Sequence, residues 1–129
     1  MQTPFFSVVI PTLDEEKTLP KLLQDLASQT FFFFEVIVVD GGSRDRTVNI
    51  AREFAQKNTQ FLVSSSAEKN VSVQRNHGAK QSRGEYLVFI DADTRIPSYY
   101  LEGLHYNLMK KEIDAFTTLA TPDSPRTDA

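Results

Sequence analysis

The sequence predicts an α/β fold with a mostly parallel central sheet. Two observations carry this expectation. Short runs rich in β-branched and aromatic residues alternate with segments whose apolar residues recur every three or four positions. The short runs also show almost no polar alternation, as expected of strands covered by helices on both faces. The 129 residues suffice for a single domain, 1–129, with one core.

The elements follow in order. Phe6–Ile10 is the first expected strand. From Glu15 to Ser28, Leu19, Leu22, Leu23 and Leu26 form one apolar helical face, and Pro20 is tolerable only near the start of that helix. Glu35–Val39 is a second strand. Four consecutive phenylalanines precede it, Phe31 to Phe34, and some of these rings are expected to pack under the sheet; the alternative is an exposed partner or membrane patch. Arg44 to Lys57 reads as a second helix with Val48, Ala51, Phe54 and Ala55 inward. Phe61–Ser64 is a short third strand. Ser72 to Ser82 reads as a helix capped by Ser72 and stopped by Gly84. Tyr86–Ile90 is the fourth strand. Ser98 to Lys111 is a helix capped by Ser98 and packing Leu101, Leu104 and Leu108. Asp114–Ala120 is expected to open a fifth strand, and 121–129 reads as loop.

Composition narrows the function. A net charge of −3 argues against general nucleic-acid binding, which needs a basic stripe. Without cysteine, disulfides and thiolate metal sites are excluded. The N-terminus lacks the pattern of a signal peptide, and no apolar stretch is long enough to cross a bilayer. A cytoplasmic domain is expected, with any membrane association arising from regions outside this chain.

Three segments fall at expected C-terminal strand ends, where open α/β sheets bind ligands. They are Ile10 to Glu16, Val39 to Thr47 and Ile90 to Thr94. Asp91 and Asp93 lie two apart after an extended run, so they can aim two carboxylates at one spot. Converging carboxylates repel unless a cation sits between them, and a divalent ion carrying a phosphorylated ligand suits the place. Asp40 ends a buried strand and wants a donor, for which a nucleobase imide N–H would serve. Gly41 and Gly42 allow close backbone approach. Pro11 and Thr12 can form the facing wall. Gln74 and Arg75 lie near a helix start, where Arg75 could meet a diphosphate. Plainer readings exist for each: Asp14 and Glu15 as helix-start acids, Gly41-Gly42-Ser43 as a tight turn, Asp45 as a helix cap, and Asp91 and Asp93 as solvated loop acids. His77 and His105 read as structural or solvated.

Taken in order, Val8-Val9-Ile10-Pro11-Thr12-Leu13-Asp14-Glu15-Glu16, Glu35-Val36-Ile37-Val38-Val39-Asp40-Gly41-Gly42-Ser43 with Asp45 and Thr47, Arg75-Asn76-His77-Gly78-Ala79, and Gly84-Glu85-Tyr86-Leu87-Val88-Phe89-Ile90-Asp91-Ala92-Asp93-Thr94 closely resemble family 2 glycosyltransferases of the GT-A fold. The resemblance spans about residues 5 to 97 and rests on the combination of motifs rather than on any one. It implies a Rossmann-like, three-layer α/β/α domain that ends before an acceptor-binding half. It also implies a nucleotide-diphosphate sugar, UDP- or GDP-linked, and a divalent metal, Mg²⁺ or Mn²⁺. By resemblance, Pro11, Thr12, Leu13 and Glu15 match the first nucleotide-contacting loop. Asp40 matches the acid that reads the base, with Gly42 beside it. Asp91, Ala92 and Asp93 match the Asp-x-Asp motif, with Asp93 and Asp91 toward ribose and metal. Family members invert the sugar carbon and transfer to a lipid, glycan or protein acceptor. The second motif departs from the usual Asp-Asp-Gly-Ser by carrying Gly41. The catalytic base is expected outside this chain, and self-association through an exposed sheet edge is expected where the other half would pack. Two rivals are a non-catalytic nucleotide-binding module and a metal-dependent sugar nucleotidyltransferase. The acidic loop after the first strand disfavours the second of these, since that class typically carries a Gly-rich basic loop there.

Overall fold

The computed structural model describes residues 3–110. In chain order they form β1 (Phe6–Thr12), α1 (Leu19–Ala27), β2 (Phe34–Asp40), α2 (Thr47–Lys57), β3 (Phe61–Ser65), α3 (Val71–Gln81), β4 (Tyr86–Phe89) and α4 (Tyr100–Met109). The expected fifth strand and terminal loop lie outside the described residues. The four strands are all parallel, in the order β3-β2-β1-β4. The chain therefore walks outward from β1 to β3 and then returns to the far side of β1. That reversal is the topological switch point, beside which ligands bind in such sheets.

Alternation along β1 divides the core into two layers. Val8 and Ile10 pack with Val36, Val38 and Val88 against the leucines of α1, Ala51 of α2, and Leu101 and Leu108 of α4. Val9 points the other way and joins Ile37, Val39 and Phe89 beneath α3. Here the helix comes unusually close. A Cβ on Gly78 would sit 2.5 Å from Val9 Cγ1 and 3.1 Å from Val39 Cγ2, so only glycine lets α3 lie this near the sheet. No helix among the described residues is long and apolar enough to cross a membrane.

The element ends differ from the sequence expectation for identifiable reasons. α1 starts at Leu19 rather than Glu15, because the backbone N–H groups of residues 14 to 16 bond to side chains of a different loop. The cap of α3 is Asn70, whose side chain accepts from the Val73 N–H at 3.0 Å, and not Ser72. Ser98 does not cap α4; its carbonyl instead receives the Thr30 N–H at 2.9 Å. Gly84 does not stop α3. Its N–H donates to Ser7 Oγ at 2.8 Å, and a Cβ there would lie 2.7 Å from β1 backbone. Of the four phenylalanines, Phe34 is buried in the core and Phe31 packs against Phe5, Phe6 and His105. Phe32 and Phe33 are exposed.

Candidate functional site

The C-terminal rim of the sheet is built around the unequal lengths of its pairings. β1 pairs with β2 as far as Thr12↔Asp40, but with β4 only to Val9↔Phe89. The Ile90 N–H still donates to the Val9 carbonyl. Backbone groups of alternate residues face the same side of a strand, so the nitrogen of Pro11 faces the gap above β4. Proline has no N–H to waste there, which explains a proline inside a central strand. The rim thus opens between β1 and the segment that carries Asp91 and Asp93.

Asp40 is 3% exposed, and its carboxylate is already filled. Oδ1 accepts the Thr12 hydroxyl at 2.8 Å and the Ser43 hydroxyl at 2.6 Å. Oδ2 accepts the N–H groups of Gly42 at 2.9 Å and Ser43 at 2.7 Å. Burial pushes its pKa up, but the Ser43 hydroxyl and N–H, the Thr12 hydroxyl and the Gly42 N–H outweigh it, and the net shift is downward. This corrects the expectation that Asp40 reads a base: in this arrangement its lone pairs hold the turn, with Gly42 at φ 105°, a conformation that suits glycine.

Gln74 is likewise internal. It is 2% exposed, and its Nε2 donates to the Thr12 carbonyl at 3.0 Å and the Val39 carbonyl at 2.9 Å. It ties the ends of β1 and β2 together from below rather than facing a ligand. A Cβ on Gly41 would approach Gln74 Oε1 to 2.9 Å, so glycine at 41 and glutamine at 74 are a matched pair. Ala92 is 3% exposed and packs in the core, so only its backbone is available. Pro11 and Thr12 are buried strand residues. The side chains presented to solvent at the rim are Leu13, Glu15, Arg75, Asp91 and Asp93, with Gly42 offering backbone.

Sequence reasoning missed how the first two loops are joined. The Asp14 N–H donates to Ser43 Oγ at 2.8 Å, Glu15 N–H to Thr47 Oγ1 at 2.7 Å, and Glu16 N–H to Asp45 Oδ2 at 3.2 Å. In return Arg44 N–H donates to Asp14 Oδ1 at 2.7 Å and Arg46 N–H to Glu16 Oε1 at 3.0 Å. Asp14 takes a positive φ of 55° in this zipper, so it is a loop fastener and not a helix-start acid. Asp45 also accepts the Thr47 N–H at 2.9 Å, but Arg46 is the residue that flanks α2. The available signal was the repeated Ser, Thr, Asp and Glu content of both loops.

The two loops and the end of β4 bring acids close enough to feel one another. Burial raises the pKa of Glu15, the Thr18 hydroxyl opposes this, and the charges of Asp93, Asp45 and Asp91 raise it further. A carboxylate disfavoured in this way gains from a nearby cation. Among the described residues the guanidinium that pairs with Asp91 is Arg75, whose Nη2 lies 3.4 Å from Asp91 Oδ1, a long contact for a charge-assisted bond. Arg75 also sits 6.0 Å from the centre of the Phe89 ring, and its Nε is buried with no hydrogen-bond partner. Among the described residues no three His, Cys, Asp or Glu side chains converge in ligating geometry. The histidines stay out of the site: His77 Nε2 is 2.9 Å from Ser64 Oγ, and His105 packs on Phe5 and Phe31. A cavity of about 320 Å³ lined by Phe5, Phe31, Phe33, Glu85 and His105 lies at the other end of the strands, away from these acids.

The sheet that carries this rim is shared with known proteins. The family model for glycosyl transferase family 2 matches residues 7–123. The chain belongs to glycosyl transferase family 2. It is 33% identical over 104 residues to the putative glycosyltransferase EpsH of Bacillus subtilis, covering 81% of this chain and 30% of that protein. It is 37% identical over 94 residues to a PGL/p-HBAD biosynthesis glycosyltransferase of Mycobacterium bovis, covering 72% of this chain and 37% of that protein. Among solved structures, residues 1–349 of S. aureus TarS superimpose with a TM-score of 0.78 at 33% identity, over 84% of this chain and 33% of that one. TarS has also been solved with UDP and with UDP-GlcNAc. The family 2 chain described here therefore has the GT-A fold and spans about a third of the length of these relatives.

Proposed function

We propose that this family 2 chain is the donor-binding part of an inverting glycosyltransferase, which takes a nucleoside diphosphate sugar together with a divalent cation. The observation that supports it is the grouping of Glu15, Asp91 and Asp93 at one rim, where burial and then the charges of Asp93 and Asp91 raise the pKa of Glu15, and where the guanidinium contact to Asp91 among the described residues is a long one. The donor set suits Mg²⁺ or Mn²⁺, which bind through one or two carboxylates and fill the remaining positions with phosphate oxygens and water. Asp93 and Asp91 would hold the ion, which when bound offsets charge on the leaving diphosphate. Leu13 and the Gly42 backbone flank the nucleotide, with Pro11 and Thr12 as the rigid wall beneath. Arg75, released from its weak contact to Asp91, turns to the diphosphate and gives its orphaned Nε an acceptor. A mannosyltransferase from Pyrobaculum calidifontis with GDP-Man and Mn²⁺, 26% identical with a TM-score of 0.67, is in keeping with this. In the transfer, the acceptor oxygen bonds to the sugar carbon as the bond to the diphosphate breaks, and a base takes the hydroxyl proton. No described residue is assigned as that base.

The test is a thermal-shift panel of UDP-, GDP-, CDP- and dTDP-sugars with and without Mn²⁺. A ligand at a hundred times its dissociation constant adds about 2.7 kcal/mol. A Mn²⁺-dependent shift is expected with UDP- or GDP-sugars, and Asp93→Ala should abolish the metal-dependent part. A flat response to every nucleotide sinks the reading.

Self-association belongs to the same proposal. Among the described residues β3 and β4 are the sheet edges, and they expose Leu62 at 43% and Leu87 at 37%. Such edges pair with other chains. Sedimentation velocity should show dimers or larger species as concentration rises; a monomer throughout removes this part of the proposal.

A further inference from the structure

We propose that Asp25, on α1, is a positioning residue for the turn that presents Asp91 and Asp93. The inference rests on the reading that these two acids receive a cation and diphosphate. Asp25 lies 66 to 68 positions earlier in the chain and touches neither acid, yet its carboxylate grips the segment immediately after them. Oδ2 accepts Arg95 Nε at 2.7 Å and the Ile96 N–H at 3.1 Å, while Oδ1 accepts Arg95 Nη2 at 2.9 Å. This is a two-pronged guanidinium–carboxylate pair, the geometry that best fixes orientation, with a backbone donor added.

The grip reaches the acids because little freedom lies between. Ala92, Thr94 and Ile96 are buried, while Asp91, Asp93 and Arg95 alternate with them on the exposed side. The Thr94 N–H closes the turn onto the Asp91 carbonyl at 3.0 Å. Holding Arg95 and Ile96 therefore sets the direction of Asp93, two residues back. Gln29 continues the strap below, with Nε2 donating to the Pro97 carbonyl at 2.7 Å and Oε1 accepting the Leu101 N–H at 2.9 Å. The other end of α1 begins on the Glu15 carbonyl, which accepts the Leu19 N–H at 2.9 Å. One helix thus spans the rim's first acidic loop and its third, and keeps their separation constant. Partners of this outer kind tune metal sites by holding the ligands in place.

The experiment compares wild type, Asp25→Ala and Arg95→Ala in two measurements. In metal-free protein, amide exchange at Thr94 should rise about tenfold in both variants while β1 and β2 keep their protection. With UDP present, Mn²⁺ affinity should fall about tenfold, with UDP binding in the absence of metal unchanged. Wild-type exchange at Thr94 overturns the proposal, as does a uniform loss of protection across the domain or wild-type Mn²⁺ affinity in a variant with a loosened turn. If Asp25→Ala does not fold, Arg95→Ala carries the same test, because that side chain is 60% exposed. If wild type binds neither UDP nor Mn²⁺, the functional reading falls, and Thr94 exchange alone decides the positioning role.

Discussion

Asp40→Ala is expected to lower the stability of the domain by about 3 kcal/mol, measured by urea unfolding. Four donors converge on this carboxylate, two of them backbone N–H groups of the turn. Hydrogen bonds to an ionised group each contribute about 1.5–3 kcal/mol, but they are not additive, and the turn can rehydrate in part. Asp40→Asn should cost less, since its amide oxygen can keep the N–H groups of Gly42 and Ser43 while its NH2 donates to the hydroxyl oxygens of Thr12 and Ser43, and only the charge is lost. The pH dependence has a definite sign. The folded pKa lies below the unfolded value, which is about 3.9, so the unfolded chain binds the proton more readily. This stabilisation is complete above the unfolded pKa and is lost as pH falls through the folded one. Wild type should therefore lose stability below about pH 4, and Asp40→Asn should lose less over the same interval. An unchanged urea midpoint in Asp40→Ala would show that the turn holds itself without the carboxylate.

Glu35→Ala should be similarly costly, at about 3 kcal/mol, for a different reason. Glu35 is 2% exposed at the opposite end of β2. Its Oε2 accepts the Ser7 hydroxyl at 2.6 Å and the Arg83 N–H at 2.7 Å, and its Oε1 accepts Arg83 Nε at 3.2 Å. Ser7 in turn receives the Gly84 N–H. One carboxylate thus fastens the return of the chain into β4 onto β1 and β2. Removing it leaves the Arg83 N–H and the Ser7 hydroxyl without their acceptor and opens a void. Arg83→Ala should cost less, because its guanidinium is 59% exposed and the backbone bond survives. Nucleotide affinity of the folded variant should be unchanged, since the rim lies at the other end of the strands. Glu35→Ala matching wild type in urea would refute the fastening role.

These two acids also show how far the sequence could be read. Both sit in the run Glu35 to Asp40, which is strand by its β-branched content. That both are buried is written in the pairing Ser7↔Glu35 and Thr12↔Asp40, a long-range match. Reading Asp40 as a base-recognising acid assumed a carboxylate in search of a donor. The donors were already supplied by Thr12, Gly42 and Ser43. Gln74 lies near the start of α3, but helical position alone could not tell that its amide points inward to two carbonyls. The zipper between residues 14–16 and 43–47 was illegible for the same reason: each partner is an ordinary loop residue until the strands bring the loops side by side.

Local pattern alone was enough for eight alternating elements, a sheet covered on both faces, and acids placed just beyond strand ends, because hydrophobic periodicity and turn chemistry act over a few neighbouring residues. Which carboxylates stay open to a ligand was decided only when the chain folded. Glu35 is filled by donors 28 and 48 positions away, and Asp40 by Thr12 from 28 positions away together with Gly42 and Ser43 of its own turn, whereas Asp91 and Asp93 stay exposed, and hydrogen-bond satisfaction of a buried group depends on what packing brings to it.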